Sequence, residues 1–573
     1  MSILKRVLFI LAVVLSPVAM AAEWNVVDAG ADPEGKKDCT AIFQQLLDEA
    51  GQAGGGVVHV PAGTFRIEGN LRMPPGVTLK GTFSYAPSDN VQQRHSEHLE
   101  GSVLQAFSGR GNPDGKPFIH MPESNATLQG LTITYPEWSR EDVPPVPYPP
   151  TIMVEHNANA AVIDCCLLNS YEGIRAFLVA RFLFRNVVGY PSWRGIYVDF
   201  CHDIGRIENC HFWPFGVLFD KDDPYCEWIN SNGVAFEFAR TDWQYVHNTF
   251  CFGYGVGYKF SESEHGTCNG NFLGIGADSC QQPVLVEAAQ PAGLLITNGE
   301  FVGRWGRTDS IGIDIRDTVD NTRVNLANCS FWGPFGNCII MDSAESFLTA
   351  TGCNFLSWDQ NNEGLPAVDI RAGRASLSSN TFTEKECQIM VGERTRAASI
   401  IGNLAPGGLK VENNAGKRTQ LLANEKDSRE WTKDARRHYR LDVGSGGDGT
   451  YLRSWHQPEK AWEWPGGEGT KRWSAENAML VLPVNRRTRY ALSMEVYVPE
   501  YARSEDAGFY MDGELLAPLP EEDRAEVVLD IAKTKSEEIT IEIRCKNWRP
   551  ADVRENSSDI RQMGLGMRSL TMT

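Results

Sequence analysis

The chain has 573 residues and a formal net charge of −19, with 54 Lys and Arg against 73 Asp and Glu. That surplus argues against nucleic acid and anionic membranes as partners, and makes a strongly anionic polymer an awkward substrate unless cations or local arginines help. The length points to more than one domain, the 42% apolar fraction is that of a globular protein, and 54 glycines fit a turn-rich β architecture.

Residues 1–22 read as a secretory signal: Lys5 and Arg6, the apolar run Val7 to Leu15, then Ala19-Met-Ala21 as a cleavage site. The run is too short to span a bilayer, and no later stretch reaches that length. The expected location is therefore secreted or periplasmic. The 14 cysteines lie mostly in the repeat region, many at Asn-Cys or strand positions (Cys166, Cys210, Cys329, Cys338, Cys353), and read as small apolar filler. Export permits disulfides, with Cys165/Cys166 or Cys329/Cys353 as candidates, but connectivity is not legible. No Cys-x-x-Cys pair or His-Cys cluster indicates zinc.

Residues 24–81 carry the most specific signal. Asn25-Val-Val-Asp-Ala-Gly-Ala-Asp-Pro-Glu-Gly leads into Asp38-Cys-Thr40. A helix is expected over Ala41 to Ala50, capped by Asp38 or Thr40. Gly54-Gly-Gly56, the strand Val57-Val-His-Val60, Pro61-Ala-Gly-Thr-Phe-Arg-Ile67 and Pro75-Gly-Val-Thr-Leu-Lys-Gly81 follow. A solenoid needs a terminal cap to cover its core and blunt its open strand edge, and an amphipathic helix before the first rung does both. This order of motifs resembles the N-terminus of the pectate lyase superfamily, specifically its rhamnogalacturonase/epimerase-like pectate lyase domain. The resemblance covers roughly residues 24–410. It implies a right-handed parallel β-helix acting on polysaccharide, and leaves the reaction open among hydrolases, lyases, epimerases and tailspikes. Of the polygalacturonase motifs in that superfamily only Asp222-Asp223 matches, and Glu264-His-Gly266 is a partial echo. That mechanism is not carried over.

Residues 82–150 interrupt the rungs. Tyr135 to Thr151, rich in proline, reads as a loop folded over one face. From Ile152 to Arg371 the chain repeats, with alternating strands and a closing Asn-x-Phe signature, as at Asn209-Cys-His-Phe212, Asn248-Thr-Phe250 and Asn328-Cys-Ser-Phe331. Self-similarity at a period of roughly 20–30 residues, with short strands and no helical periodicity, predicts a β-solenoid. Paired inward residues (Ile196 and Val198, Val217 and Phe219, Phe236 and Phe238, Tyr258 and Phe260, Ile313 and Ile315) fix the facing of each rung. Aligning them stacks one expected outward column: Glu155, Phe177, Asp199, Asp220, Glu237, Lys259, Glu287, Arg316, Asp342 and Arg371.

Three consecutive rungs of that column carry carboxylates, which singles out Asp199, Asp220 and Glu237 as catalytic candidates, with Asp222 and Asp223 in the following loop. Glycoside hydrolysis needs a carboxylic acid and a carboxylate, roughly 5–5.5 Å apart for retention or 6.5–9.5 Å for inversion. Three stacked carboxylates should leave at least one protonated near neutral pH. Lys259, Arg194, Arg240, Glu262, His265 and Arg316 flank the site as expected substrate contacts. The expected function is that of a glycoside hydrolase cleaving a complex polysaccharide, without cofactor. Two alternatives stay open. The same carboxylates could cage Ca²⁺ in a lyase acting on a uronate polymer, or the face could bind glycans without cleaving them.

The helix is expected to end near residue 414, with a charged linker over 415–437. Residues 438–573 alternate as short strands at Met479–Pro483, Tyr490–Val498, Gly508–Met511, Glu526–Asp530 and Ile539–Ile543. Such spacing predicts a β-sandwich. Its tryptophans Trp455, Trp462, Trp464 and Trp473 either stack on sugars or pack inside the domain.

Overall fold

The computed structural model describes residues 23–83, 88–89, 94–95, 99–217, 219–316, 321–384, 387–426, 438–467, 469–555 and 557–573. The signal-like segment 1–22 and part of the expected linker lie outside them. The described residues form two compact units. One runs as far as Thr381 and takes in Val411–Leu422; the other takes in Gly402–Lys410 and ends at Thr573.

The first unit is a parallel β-helix. Strands on each of its faces pair with the equivalent strand of the next rung, and every such pairing is parallel. We call the faces sheets A, B and C in the order in which the chain visits them. Sheet A contains β1 (Glu172–Ala180), β2 (Arg194–Asp203), β3 (Val234–Phe238), β4 (Val256–Phe260) and β5 (Gln282–Val286). Their inward residues form unbroken stacks: Ile174, Ile196, Phe236, Tyr258 and Val284 lie side by side and are fully buried. Phe236 and Tyr258 stack with ring centroids 4.9 Å apart. Each such side chain removed from water contributes roughly 1.5–3 kcal/mol, so the repeat itself supplies the core.

The asparagines of the repeat turn the chain from sheet B to sheet C. Asn186, Asn209, Asn248, Asn298 and Asn328 all adopt positive φ, a conformation asparagine tolerates better than other side chains. Where a phenylalanine lies three residues on, it enters the core of sheet C, and Phe301, Phe331 and Phe355 pack with ring centroids 5.4 and 5.0 Å apart. Phe250, two residues after Asn248, pairs with His211 and is only half-buried. The pattern is not one position throughout. Asn271-Phe272, which resembles the signature, lies instead in sheet B, where Phe272 pairs with Val246. All 14 cysteines are thiols and 12 are buried, which fits their role as filler.

Helix α1 (Thr40–Gln52) caps the solenoid with Phe43, Leu46, Leu47 and Ala50 buried beneath it. Asp38 accepts the Thr40 amide at 3.0 Å and the Thr40 hydroxyl at 2.5 Å, so it binds the first turn from one residue outside the N-cap position, Cys39. At the other end the solenoid continues past residue 414: Thr419–Leu422, within the stretch read as linker, pairs in parallel with Ala398–Ile401.

The second unit is antiparallel. The long strand Thr470–Pro483 pairs near its start with Gly566–Met572 and near its end with Glu538–Arg544, and so belongs to two sheets. Leu480, Leu482, Leu492, Met494, Phe509, Leu529, Ile541 and Leu570 form the core between them. Trp464 and Trp473 are buried, and Trp455 donates its indole N–H to the Met479 carbonyl at 3.2 Å. Trp462 is 69% exposed.

Candidate active site on the outer face of sheet A

The strand register separates the expected column into two. Glu155, Phe177 and Asp199 lie on successive rungs as expected. Strand β2 then pairs directly with β3, and the partner of Glu237 is Tyr197, not Asp199. Lys259 follows Glu237 on β4. One outward column therefore runs Arg175, Tyr197, Glu237, Lys259, Leu285 and Asp314. The column two residues along runs Phe177, Asp199, Ala239, Ser261 and Glu287, then Arg316, Asp342 and Arg371. Four of the five inward pairs predicted the facing correctly; Val217 and Phe219 belong to no strand. The error was to take the residue between them on two rungs and the residue after them on the others, a shift of two that alternation alone does not detect.

Asp220 has no rung. Val217 and Phe219 lie in irregular backbone between sheets C and A, in the connection that leads to helix α2 (Pro224–Asn232). Asp220 accepts the Asp222 amide there, and the exposed Asp222 pairs with Lys221 at 2.9 Å. Asp223 is the N-cap of α2: Oδ1 accepts from the amides of Tyr225 and Cys226, and Oδ2 from Arg140 at 2.8 Å. Arg140 and Trp138, which donates to Tyr225, fasten the 135–151 loop to this helix. The three aspartates thus build a connection and do not join Asp199 and Glu237.

What sheet A does gather is an interlocked set of charges. Arg194 bridges rungs: Nη2 donates to Glu172 Oε1 and Nη1 to Glu237 Oε2, each at 2.9 Å. Arg175 also binds Glu172, whose side chain is 1% exposed. Lys259 Nζ sits 3.5 Å from Glu237 and 3.3 Å from Glu287. Ser261 donates to Glu237 at 3.0 Å. Burial works against ionisation of Glu237, but Arg194 and Lys259, with hydrogen bonds from Arg194 and Ser261, outweigh it and hold the carboxyl below its usual range. The expected protonated carboxylic acid is therefore not Glu237, because two cations face it.

Asp199 is 5% exposed and accepts three hydrogen bonds at Oδ1, from the amides of Phe200 (2.7 Å) and Arg240 (3.0 Å) and the Ser263 hydroxyl (2.8 Å). Tyr197 directs its hydroxyl at Asp199 Oδ2, 3.4 Å away, with the Arg194 guanidinium 4.0 Å from its ring centre. Burial, then the negative charge of Asp199 and Glu237, pushes the Tyr197 hydroxyl well above the usual phenol range, so it keeps its proton. His265 stacks on Phe200 at 4.1 Å and abuts Phe177 at 5.4 Å. The Arg240 guanidinium is held by Asp242, Arg316 pairs with Asp314, and Glu262 is exposed.

Tyr197, Glu172 and Arg175 were missed. Tyr197 lies between the inward Ile196 and Val198, so alternation points it outward, but a neutral phenol carries no charge to mark it as part of the site. Among the described residues no group of three His, Cys, Asp or Glu is arranged to hold a metal ion. The Ca²⁺ cage expected of Asp199, Asp220 and Glu237 does not fit either, since Asp220 lies elsewhere and Glu237 already has Arg194 and Lys259 against it.

Residues 24–103 match the family model described as "Rhamnogalacturonase A/epimerase, pectate lyase-like". The resemblance read from residues 24–81 thus recurs in the family model, and the parallel β-helix is the fold it implies. Alginate lyase 7 of Azotobacter vinelandii is 47% identical over 57 residues, which is 10% of this chain and 7% of that protein. Mannuronan C5-epimerase AlgE1 of the same organism is 47% identical over 59 residues, 10% of this chain and 4% of that protein. The matches thus span only a small part of these relatives' length. Among solved structures, the A-module of A. vinelandii mannuronan C-5 epimerase AlgE6 is 14% identical, covering 70% of this chain and 98% of that one with a TM-score of 0.42. The tailspike of E. coli bacteriophage HK620, in complex with a pentasaccharide, is 9% identical, covering 96% and 93% with a TM-score of 0.44.

Proposed function

We propose that this protein is an exported carbohydrate-active enzyme that processes a polysaccharide on the outer face of sheet A. The observation that carries the proposal is the juxtaposition on one face of a proton-bearing phenol, Tyr197, an ionised carboxylate opposite it, Glu237, and two cations, Arg194 and Lys259.

Two reactions use these groups differently. Glycosidic hydrolysis by Asp199 and Glu237 needs one of the pair to enter as an acid, and Glu237 is held as the anion. β-Elimination or epimerisation at a uronate suits the set better. Arg194 and Lys259 share the charge of the substrate carboxylate and so acidify the adjacent C5–H. Glu237 accepts that proton, and Tyr197 donates one to the leaving oxygen in elimination; epimerisation needs the proton returned to C5 on the face turned away from Glu237. The names alginate lyase and mannuronan C5-epimerase borne by two relatives accord with this class. Local cations offset the net negative charge that otherwise disfavours an anionic polymer.

The test is a panel of uronate-containing and neutral polysaccharides, followed for unsaturated-uronate absorbance, new reducing ends and C5 configuration by NMR. Absorbance or C5 inversion is expected, with the absorbance lost in Tyr197→Phe. Reducing ends without absorbance would replace this mechanism by hydrolysis through Asp199 and Glu237. Binding without any turnover would reduce the face to glycan recognition.

A further inference from the structure

A cavity of about 320 Å³ opens where the chain turns from sheet A to sheet B, lined by His202, Asp203, Ile204, Asp242, Trp243 and Asn269. That volume is at the lower end of the range for small-ligand sites, roughly 300–1,000 Å³. It lies beyond the polar network of sheet A, and no step proposed above uses it. Trp243 is 62% exposed. Its indole is a broad apolar surface beside Ile204, and the other lining side chains are polar.

The backbone makes this placement a costly one. The equivalent turn position on earlier rungs is Asn125, Asn159 and Arg181, all at positive φ and joined by the amide-to-carbonyl bonds Asn125 to Ala158, Asn159 to Ala180 and Arg181 to Asp203. On the next rungs the same conformation is imposed on Ile204 (φ 40°) and Trp243 (φ 50°). Asparagine accepts the left-handed region readily, whereas β-branched and bulky residues do so only under strain. The fold thus holds a tryptophan outward where asparagine would be easier.

The polar lining is fixed from behind. Arg240 donates to Asp242 at 2.6 Å and Arg181 to Asp203 at 2.5 Å, so each carboxylate is already matched by an arginine. Asn269, 5% exposed, accepts the Trp243 amide at 3.1 Å and donates to Gln290 at 2.6 Å. His202 packs edge-on against Phe200 at 4.6 Å. What remains is an aromatic face beside several oriented hydrogen-bonding groups. A pyranose ring matches both features, with apolar C–H groups on one face and hydroxyls around its edge. With Asp203 and Asp242 each balanced by one arginine, and no Lys or Arg in the lining, the cavity offers no surplus cation to a uronate or sulfated sugar.

We propose that this cavity is a subsite for an uncharged pyranose, stacked on Trp243 and hydrogen-bonded by His202, Asp203 and Asp242. The subsite stands whatever chemistry sheet A performs. It implies that the polymer presents neutral residues at this edge, as a mixed or branched polysaccharide does.

The experiment is binding of the full chain to an array of immobilised neutral and uronate oligosaccharides, repeated with Trp243→Ala and Trp243→Asn. Wild-type protein is expected to bind at least one neutral glycan. Both variants should lose that binding by about tenfold or more, the equivalent of ~1.4 kcal/mol. Trp243→Asn should melt no lower than wild type, because asparagine suits the turn, and this separates loss of the subsite from loss of the fold. Tyr197→Phe should bind neutral glycans as wild type does, which separates this site from the one on sheet A. Unchanged binding in both tryptophan variants, binding to uronates alone, or no neutral glycan bound would each overturn the proposal.

Discussion

Glu237 stands opposite Tyr197 in the sheet A ladder, and Arg194 touches both: it donates to the Glu237 carboxylate at 2.9 Å and lies 4.0 Å from the Tyr197 ring centre. Every proposed role on this face depends on that three-way arrangement. It also makes the arginine structural, because its other end binds Glu172, which has almost no access to water.

Arg194→Ala should therefore be strongly destabilising. It leaves Glu237 with Lys259 alone and deprives Glu172 of one of its two arginines. Breaking a buried ion pair from one side costs about 3–5 kcal/mol. A denaturant titration should show the fall in midpoint, while Arg316→Ala, which removes a half-exposed partner of Asp314, should hardly shift it.

Acid should expose the same dependence. The folded pKa of Glu237 lies below its ordinary value of 4.5, so its contribution is complete above that value and disappears as pH falls through the folded pKa. Thermal melts of wild type should decline on this acid limb. Glu237→Gln, compared over the same range, should show a shallower decline.

Tyr197→Phe keeps the ring beneath Arg194 and removes only the hydroxyl. Turnover on an active polymer should fall by roughly 10²–10⁴, the usual value of a positioned proton donor, with the melting temperature close to wild type. A merely packing role for Tyr197 would leave turnover intact.

Asp223→Ala should lower stability without abolishing turnover. Loss of an N-cap aspartate costs about 0.5–2 kcal/mol, and the Arg140 contact goes with it. Asp222→Ala, at an exposed pair with Lys221, should change neither. Loss of turnover in a stable Asp223→Asn would return the loop to the active site.

In the second unit, Trp473→Ala should cost about 3–5 kcal/mol as a buried aromatic truncation, whereas Trp462→Ala at an exposed position should leave unfolding unchanged. Calorimetry of the two variants separates packing from surface roles among these tryptophans.

By itself the sequence determined the architecture. Alternation within short strands set which side chains face inward, and the helix before Gly54-Gly-Gly56 marked the cap, because both patterns arise from local geometry. Asn209, Asn248 and Asn328 announced turns because few other residues accept a left-handed backbone. Tertiary structure alone decided which outward residues meet. Whether β2 pairs next with the segment around Val217 or with Val234–Phe238 is set by backbone hydrogen bonds between distant segments, and both segments carry alternating apolar residues. That single choice removed Asp220 from the face and put Tyr197 opposite Glu237. It also settled the electrostatics: a carboxylate among stacked acids tends to keep its proton, and one between Arg194 and Lys259 gives it up.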